Sequence, residues 1–112
     1  MNIWLIKTGE PLPTDANVPR LLRTGMLAEV LVERGHNVVF WSSTYDHMAK
    51  TKRATKTSTI TINANYDLCL IDAPPYKKNI SLQRIRHNQI TAKRFVEIAL
   101  LKDLPDVIVC AY

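Results

Sequence analysis

Two short apolar runs, within Asn2 to Lys7 (NIWLIK) and Asn37 to Ser42 (NVVFWS), flank a stretch from Arg20 to Arg34 whose apolar residues recur at helical spacing. An uninterrupted apolar run bounded by polar residues predicts a strand buried on both faces. Strand, helix and strand in that order predict a parallel pair. Gly35 follows the last periodic helical residue, where a left-handed cap is easiest without a Cβ. Within the helix, Leu21, Gly25, Ala28 and Val32 share one stripe, and the small Gly25 and Ala28 are expected to let the backbone approach the sheet. Ser43 to Lys56 is polar and basic and reads as a loop or short helix. Thr57 to Ile62 then alternates in period two and Tyr66 to Ile71 is apolar, with Asn63-Ala64-Asn65 as turn chemistry between them, so the two read as a strand pair. A second long helix is expected from Ser81 to Lys102, capped by Ser81 and ended by Pro105. Leu82, Ile85, Ala92, Phe95, Val96, Ala99 and Leu100 form its apolar face, and Arg84, His87, Thr91 and Arg94 lie away from it. Asp106 to Ala111 (DVIVCA) reads as a further buried strand.

These elements predict one α/β domain spanning residues 1–112, a Rossmann-like parallel sheet in which the last strand lies beside the first. The ligand crevice is then expected outside the carboxyl ends of those strands. The first loop, Thr8 to Pro19, holds only Gly9, so it lacks the glycines that seat a dinucleotide pyrophosphate. A phosphate loop of the Gly-Lys-Ser/Thr type is missing, and the first strand ends in Lys7 where a receiver domain needs an acidic cluster. No helix follows the last strand, and the domain reads as truncated there.

Charge changes the picture more than composition does. The net charge is +5, but residues 50–94 hold ten cations against only Asp67 and Asp72, so the middle of the chain is the basic part. Such a face concentrates anions, whether nucleic acid, lipid headgroups or phosphorylated substrates. Cys69 and Cys110 both fall in apolar strand patterns and read as reduced core thiols of a cytosolic protein, with no disulfide and no metal site expected. Neither a leader peptide nor a membrane span is expected after Met1.

The segments NIWLIKTGEPLP, RLLRTGMLAEVLVERGHNVVFWSSTYDH, YKKNISLQRIRHNQ and PDVIVCAY together resemble the N-terminal half of a bacterial family 4 glycosyltransferase of the GT-B fold. The likeness is nearest the amino-sugar transferases of O-antigen and capsule synthesis. It implies an acceptor-side domain that faces a separate nucleotide-sugar domain, with retaining transfer that needs no metal or cofactor. The implied substrates are a nucleotide-sugar donor and a saccharide or lipid-linked acceptor. The implied setting is cytoplasmic, with peripheral contact to the anionic inner face of the membrane. The chain departs from the family in its donor signature, two glutamates eight positions apart, since Glu10, Glu29, Glu33 and Glu97 include no such pair. Catalysis by this polypeptide alone is therefore not expected.

By the strand-end rule Lys7, Thr8, Gly9, Glu10, Ser42, Ser43 and Tyr112 face the crevice. The resemblance puts the first loop between the two domains, where the backbone at Gly9 is bare enough to approach the donor diphosphate; Gly9 reads equally as a turn residue. Arg20 and Arg23 open the first helix, whose N–H groups already favour an anion, and are candidates to hold a phosphate. Glu10 is a candidate base or sugar-hydroxyl acceptor, or a solvated loop carboxylate. Asp72 is a candidate for sugar hydroxyls, or a turn-initiating residue. Among the histidines His47 is the best placed for proton transfer or phosphate contact, while His36 reads as structural and His87 as lying on a basic helix surface. The competing reading is a small stand-alone basic module that binds nucleic acid or another anion. Trp4, Trp41, Phe40 and Phe95 fall in core patterns, not on an exposed stacking face, so no nucleic-acid partner is expected.

Overall fold

The computed structural model describes residues 1–14, 21–46, 50–78 and 80–110. In chain order the elements are β1 (Asn2–Ile6), α1 (Arg23–Glu33), β2 (Asn37–Ser43), β3 (Tyr45–Asp46), β4 (Thr51–Lys52), β5 (Ser58–Asn63), β6 (Tyr66–Ile71), α2 (Leu82–Ala99) and β7 (Val107–Cys110). Five strands form one sheet in the order β5-β6-β2-β1-β7. The pairs β1–β2, β1–β7 and β2–β6 are parallel, and β5 runs antiparallel to β6 as the first arm of a hairpin. The chain is therefore an α/β protein with a mostly parallel sheet.

Each face of the sheet carries one helix, which explains why the central strands are apolar on both sides. On one face Ile3, Leu5, Val38, Phe40, Leu68 and Leu70 pack with Leu12 from the first loop and with Ala28, Leu31 and Val32 of α1. On the other, Trp4, Trp41, Cys69 and Ile71 pack with Phe95, Ile98 and Ala99 of α2. The alternation of Ile60 and Ile62 with Thr59 and Thr61 lays the isoleucines on the core and the threonines in solvent, as period two requires. Gly35 ends α1 with φ 86°, in the left-handed region.

Several sequence expectations are corrected. The region Ser43 to Lys56 is neither plain loop nor helix: β3 and β4 pair antiparallel, and Lys50 turns into β4 with φ 57°. The α1 helix begins at Arg23, and Arg20 lies outside the described residues. A Cβ on Gly25 would first meet the Leu21 side chain, whose Cβ lies 3.2 Å away. The last strand is not buried. All four residues of β7 are exposed, Cys110 among them, because β7 is the edge of the sheet and α2 does not reach over it.

The largest correction concerns α2. Its buried residues are His87, Thr91 and Ala99, with Arg84, Arg94, Phe95 and Ile98 half-buried beside them, while Leu82, Ile85, Val96 and Leu100 are exposed. The helix is rotated so that its polar stripe points inward. The reason is local: the first half of α2 crosses the carboxyl ends of β2 and β6, where polar groups wait, and only its second half reaches the aromatic cluster.

Candidate functional site

The β1 strand sits where the order of the sheet reverses. It lies between β2, reached from β1 through α1 on one face, and β7, reached from β6 through α2 on the opposite face. A crevice outside the carboxyl ends is the expected consequence. A groove of about 440 Å³ lies there, between the ends of β1, β2 and β7 and one side of α2. Lys7, Thr8, Arg84, Asn88 and Thr91 give it polar lining, and Ile6, Trp41, Phe95, Val96 and Cys110 give it apolar lining. Among the described residues none of its lining is acidic. An anionic group with an apolar portion fits that composition best.

A second set of polar residues builds the shelf beside the groove. Asp72, just past β6, accepts hydrogen bonds from Thr44 Oγ1 and Lys52 Nζ, each at 3.0 Å, and Arg94 Nη1 lies 3.5 Å from its other oxygen. Arg94 also donates to the Asp72 carbonyl. Burial alone would raise the Asp72 carboxyl, but the hydrogen bonds of Lys52 and Thr44 and the charges of Lys52 and Arg94 outweigh it and hold the group below the usual carboxylate range. Arg53 laces the shelf to the first loop, donating to the carbonyls of Ser43, Tyr45 and Glu10 at 3.0, 3.0 and 3.2 Å.

His87 is buried at 2% exposure, not on a basic surface. Its Nδ1 lies 2.7 Å from the Pro74 carbonyl, an acceptor only, so the proton sits on Nδ1 and Nε2 is left to accept. The Ser43 hydroxyl lies 3.4 Å from Nε2 and itself accepts from the Tyr45 N–H at 3.0 Å. The ring packs against Tyr45 and Tyr76. This pair has the order of a serine nucleophile and its base, but both residues are buried, so it fixes α2 to β2 without meeting a substrate. Burial pushes the His87 imidazole below its ordinary 6.5, and Arg84 adds to this, against the opposing pull of the Pro74 carbonyl. The sign of the linkage follows: above pH 6.5 both folded and unfolded chains are neutral here, and as pH falls through that value only the unfolded chain takes the proton. Stability is therefore expected to decline from about pH 6.5 downward, and His87→Gln to flatten this limb in melting temperatures recorded from neutral pH toward acid. A wild-type limb of unchanged slope in the variant would show that His87 is not its source.

The sequence candidates divide as follows. Thr8 lines the groove, and Gly9 beside it adopts φ 87°. Ser43 and Asp72 belong to the shelf. Glu10 is buried, and its carboxylate accepts from Thr24 N at 3.0 Å and Thr24 Oγ1 at 2.6 Å, so it is not a solvated loop residue. Arg23 is exposed at the start of α1 and does not line the groove. Arg20, His47 and Tyr112 lie outside the described residues. Sequence reasoning missed Arg84, Asn88, Thr91, His87, Arg94 and Arg53. The first five do share one signal, polar residues recurring at helical spacing along α2. Compared with protein-family models, curated proteins and solved structures, the chain matches none of them.

Proposed function

We propose that this chain is the Rossmann-like acceptor-side half of a GT-B glycosyltransferase of cell-surface polysaccharide synthesis. In this reading a second domain holds the nucleotide-sugar donor, and the groove at the ends of β1, β2 and β7 receives a phosphate-bearing, lipid-linked acceptor. The observation that carries the reading is the composition of that groove: cationic Lys7 and Arg84 beside Trp41, Phe95 and Val96, with no carboxylate among the described residues that line it. Phosphate oxygens would meet Lys7, Arg84 and the side chains of Thr8 and Asn88, and the first isoprene units would lie along the apolar lining. The sheet order, with β1 at its reversal point, supports the same placement. Asp72, held ionised by Lys52 and Arg94, is a fixed acceptor next in sequence to Ile71 of the groove. No sugar transfer is expected from this chain by itself.

Cys110 supplies the test. It lines the groove and is exposed, whereas Cys69 is buried, and burial pushes its thiol up. Iodoacetamide is therefore expected to modify Cys110 first. A short-chain polyprenyl diphosphate bearing one sugar should slow that modification severalfold, and inorganic phosphate should do so only weakly. Arg84→Glu should remove the protection. Equal modification rates with and without the lipid-linked sugar would sink the reading.

A further inference from the structure

A second cavity, of about 220 Å³, lies at the opposite end of the sheet from the groove, between the last turns of α1 and the start of β6. Glu29, Val32 and Glu33 of α1, Ile62 and Asn63 of β5 and Tyr66 of β6 line it. Residues four apart on a helix share a face, so the two carboxylates stand side by side, where like charges repel. They also stand toward the C-terminus of α1, the negative end of its dipole, and the last turn holds no basic residue. Among the described residues none of the lining is basic, Arg34 lies outside it, and neither carboxylate has an ion-pair partner. Tyr66 adds a polar group of another kind. It is 3% exposed, and among the described residues its hydroxyl has no hydrogen-bond partner. A hydroxyl withdrawn from water without a partner is costly, and native structures rarely retain one. Burial pushes this group up to about 12 and the Glu29 charge adds to it, so the hydroxyl stays protonated within the field of that carboxylate. Asn63 Oδ1 accepts from the Asn65 N–H at 2.9 Å and retains a second lone pair.

We infer that this cavity binds a guanidinium group carried on an apolar stem. The acceptors that line it, the Glu29 and Glu33 carboxylates, the Tyr66 hydroxyl and the Asn63 amide oxygen, outnumber the three donors of an ammonium, whereas a guanidinium presents five in a planar fork. Its charge offsets the repulsion between the glutamates, and one of its N–H groups supplies the Tyr66 hydroxyl with the partner it lacks. Val32 and Ile62 suit an alkyl stem better than a hydrated ion. Among the described residues no three His, Cys, Asp or Glu side chains are grouped to hold a metal. At a share of about 30 Å³ per water the cavity has room for about seven waters, the size of a guanidinium with a short alkyl chain. The same group is offered by a small free guanidino compound and by an arginine side chain of a partner protein. The inference stands apart from the groove and from the acceptor reading.

The test is titration calorimetry on the whole chain with n-butylguanidinium, n-butylammonium, the neutral isostere n-butylurea, and a short uncharged peptide carrying a single arginine. Saturable binding of butylguanidinium, weakened by salt, is expected, with butylammonium about tenfold weaker and butylurea without effect. Glu29→Gln should lower the affinity by about tenfold and Tyr66→Phe by about fivefold. Without ligand neither variant should melt below wild type, because Glu29→Gln relieves a repulsion on an exposed helix face and Tyr66→Phe removes a hydroxyl that has no partner. A peptide that binds at least as tightly as butylguanidinium assigns the site to a partner's arginine, and a weaker peptide assigns it to a free guanidino compound. No saturable binding of either, butylurea as tight as butylguanidinium, either variant as tight as wild type, or a lowered melt of Tyr66→Phe would each overturn the inference.

Discussion

Trp41→Ala is expected to remove a large share of the stability of the fold. Trp41 is 0% exposed and joins both halves of the core's second face: its ring lies 5.0 Å from that of Trp4 and meets Phe95 of α2 edge-on at 4.8 Å. Removing a buried aromatic of this size costs about 3–5 kcal/mol through lost burial and the cavity left behind. Small domains have about 5–15 kcal/mol in total. Among the described residues the Trp41 Nε1–H has no acceptor, so part of the indole's burial is already offset by an unpaired donor. Trp41→Phe retains the ring contacts and discards that donor, and its loss should be clearly smaller. Urea unfolding followed by far-ultraviolet circular dichroism decides this. A midpoint lowered sharply in Trp41→Ala and modestly in Trp41→Phe, at constant slope, is the expected pair. Equal losses would mean that the indole N–H is satisfied.

Glu10→Ala is expected to cost about 2 kcal/mol of stability, the scale of a lost helix cap combined with a charge-assisted hydrogen bond. The N-cap position of α1 is Leu22, which has no side chain able to accept from the first turn. Glu10 does this from the first loop, binding the N–H and hydroxyl of Thr24 together. A negative charge at a helix N-terminus is favourable in itself. Glu10→Gln retains one acceptor and should lose less. A Glu10–Thr24 double-mutant cycle should show coupling, because each single change already breaks the pair. Loss of acceptor binding in Glu10→Ala at unchanged stability would move Glu10 from cap to chemistry.

The same two residues show what was legible in the chain. That Leu5, Phe40 and Leu68 would be buried follows from apolar runs with no polar face, and the hairpin follows from Thr/Ile alternation and an asparagine turn. The strand-end rule also named Lys7, Thr8 and Ser42, which line the groove. What the pattern does not encode is which side of an amphipathic helix finds partners. In α2 the polar stripe turned inward because Ser43, Asp72 and the Pro74 carbonyl, all distant in sequence, satisfy His87 and Arg94. The Glu10–Thr24 cap spans fourteen residues in the same way. Cys110 was misread for a related reason: an apolar strand is buried only when something covers it, and β7 stands at the edge. The β3–β4 ribbon escaped notice because two-residue strands leave no period to detect.

The central claim, that this chain is the acceptor side of a two-domain transferase, is tested most directly by reading the encoding DNA beyond the codon for Tyr112. An in-frame continuation into a second α/β domain carrying two glutamates eight positions apart is expected. A stop codon at that point would contradict it, and the groove would then belong to a binding module without transferase chemistry.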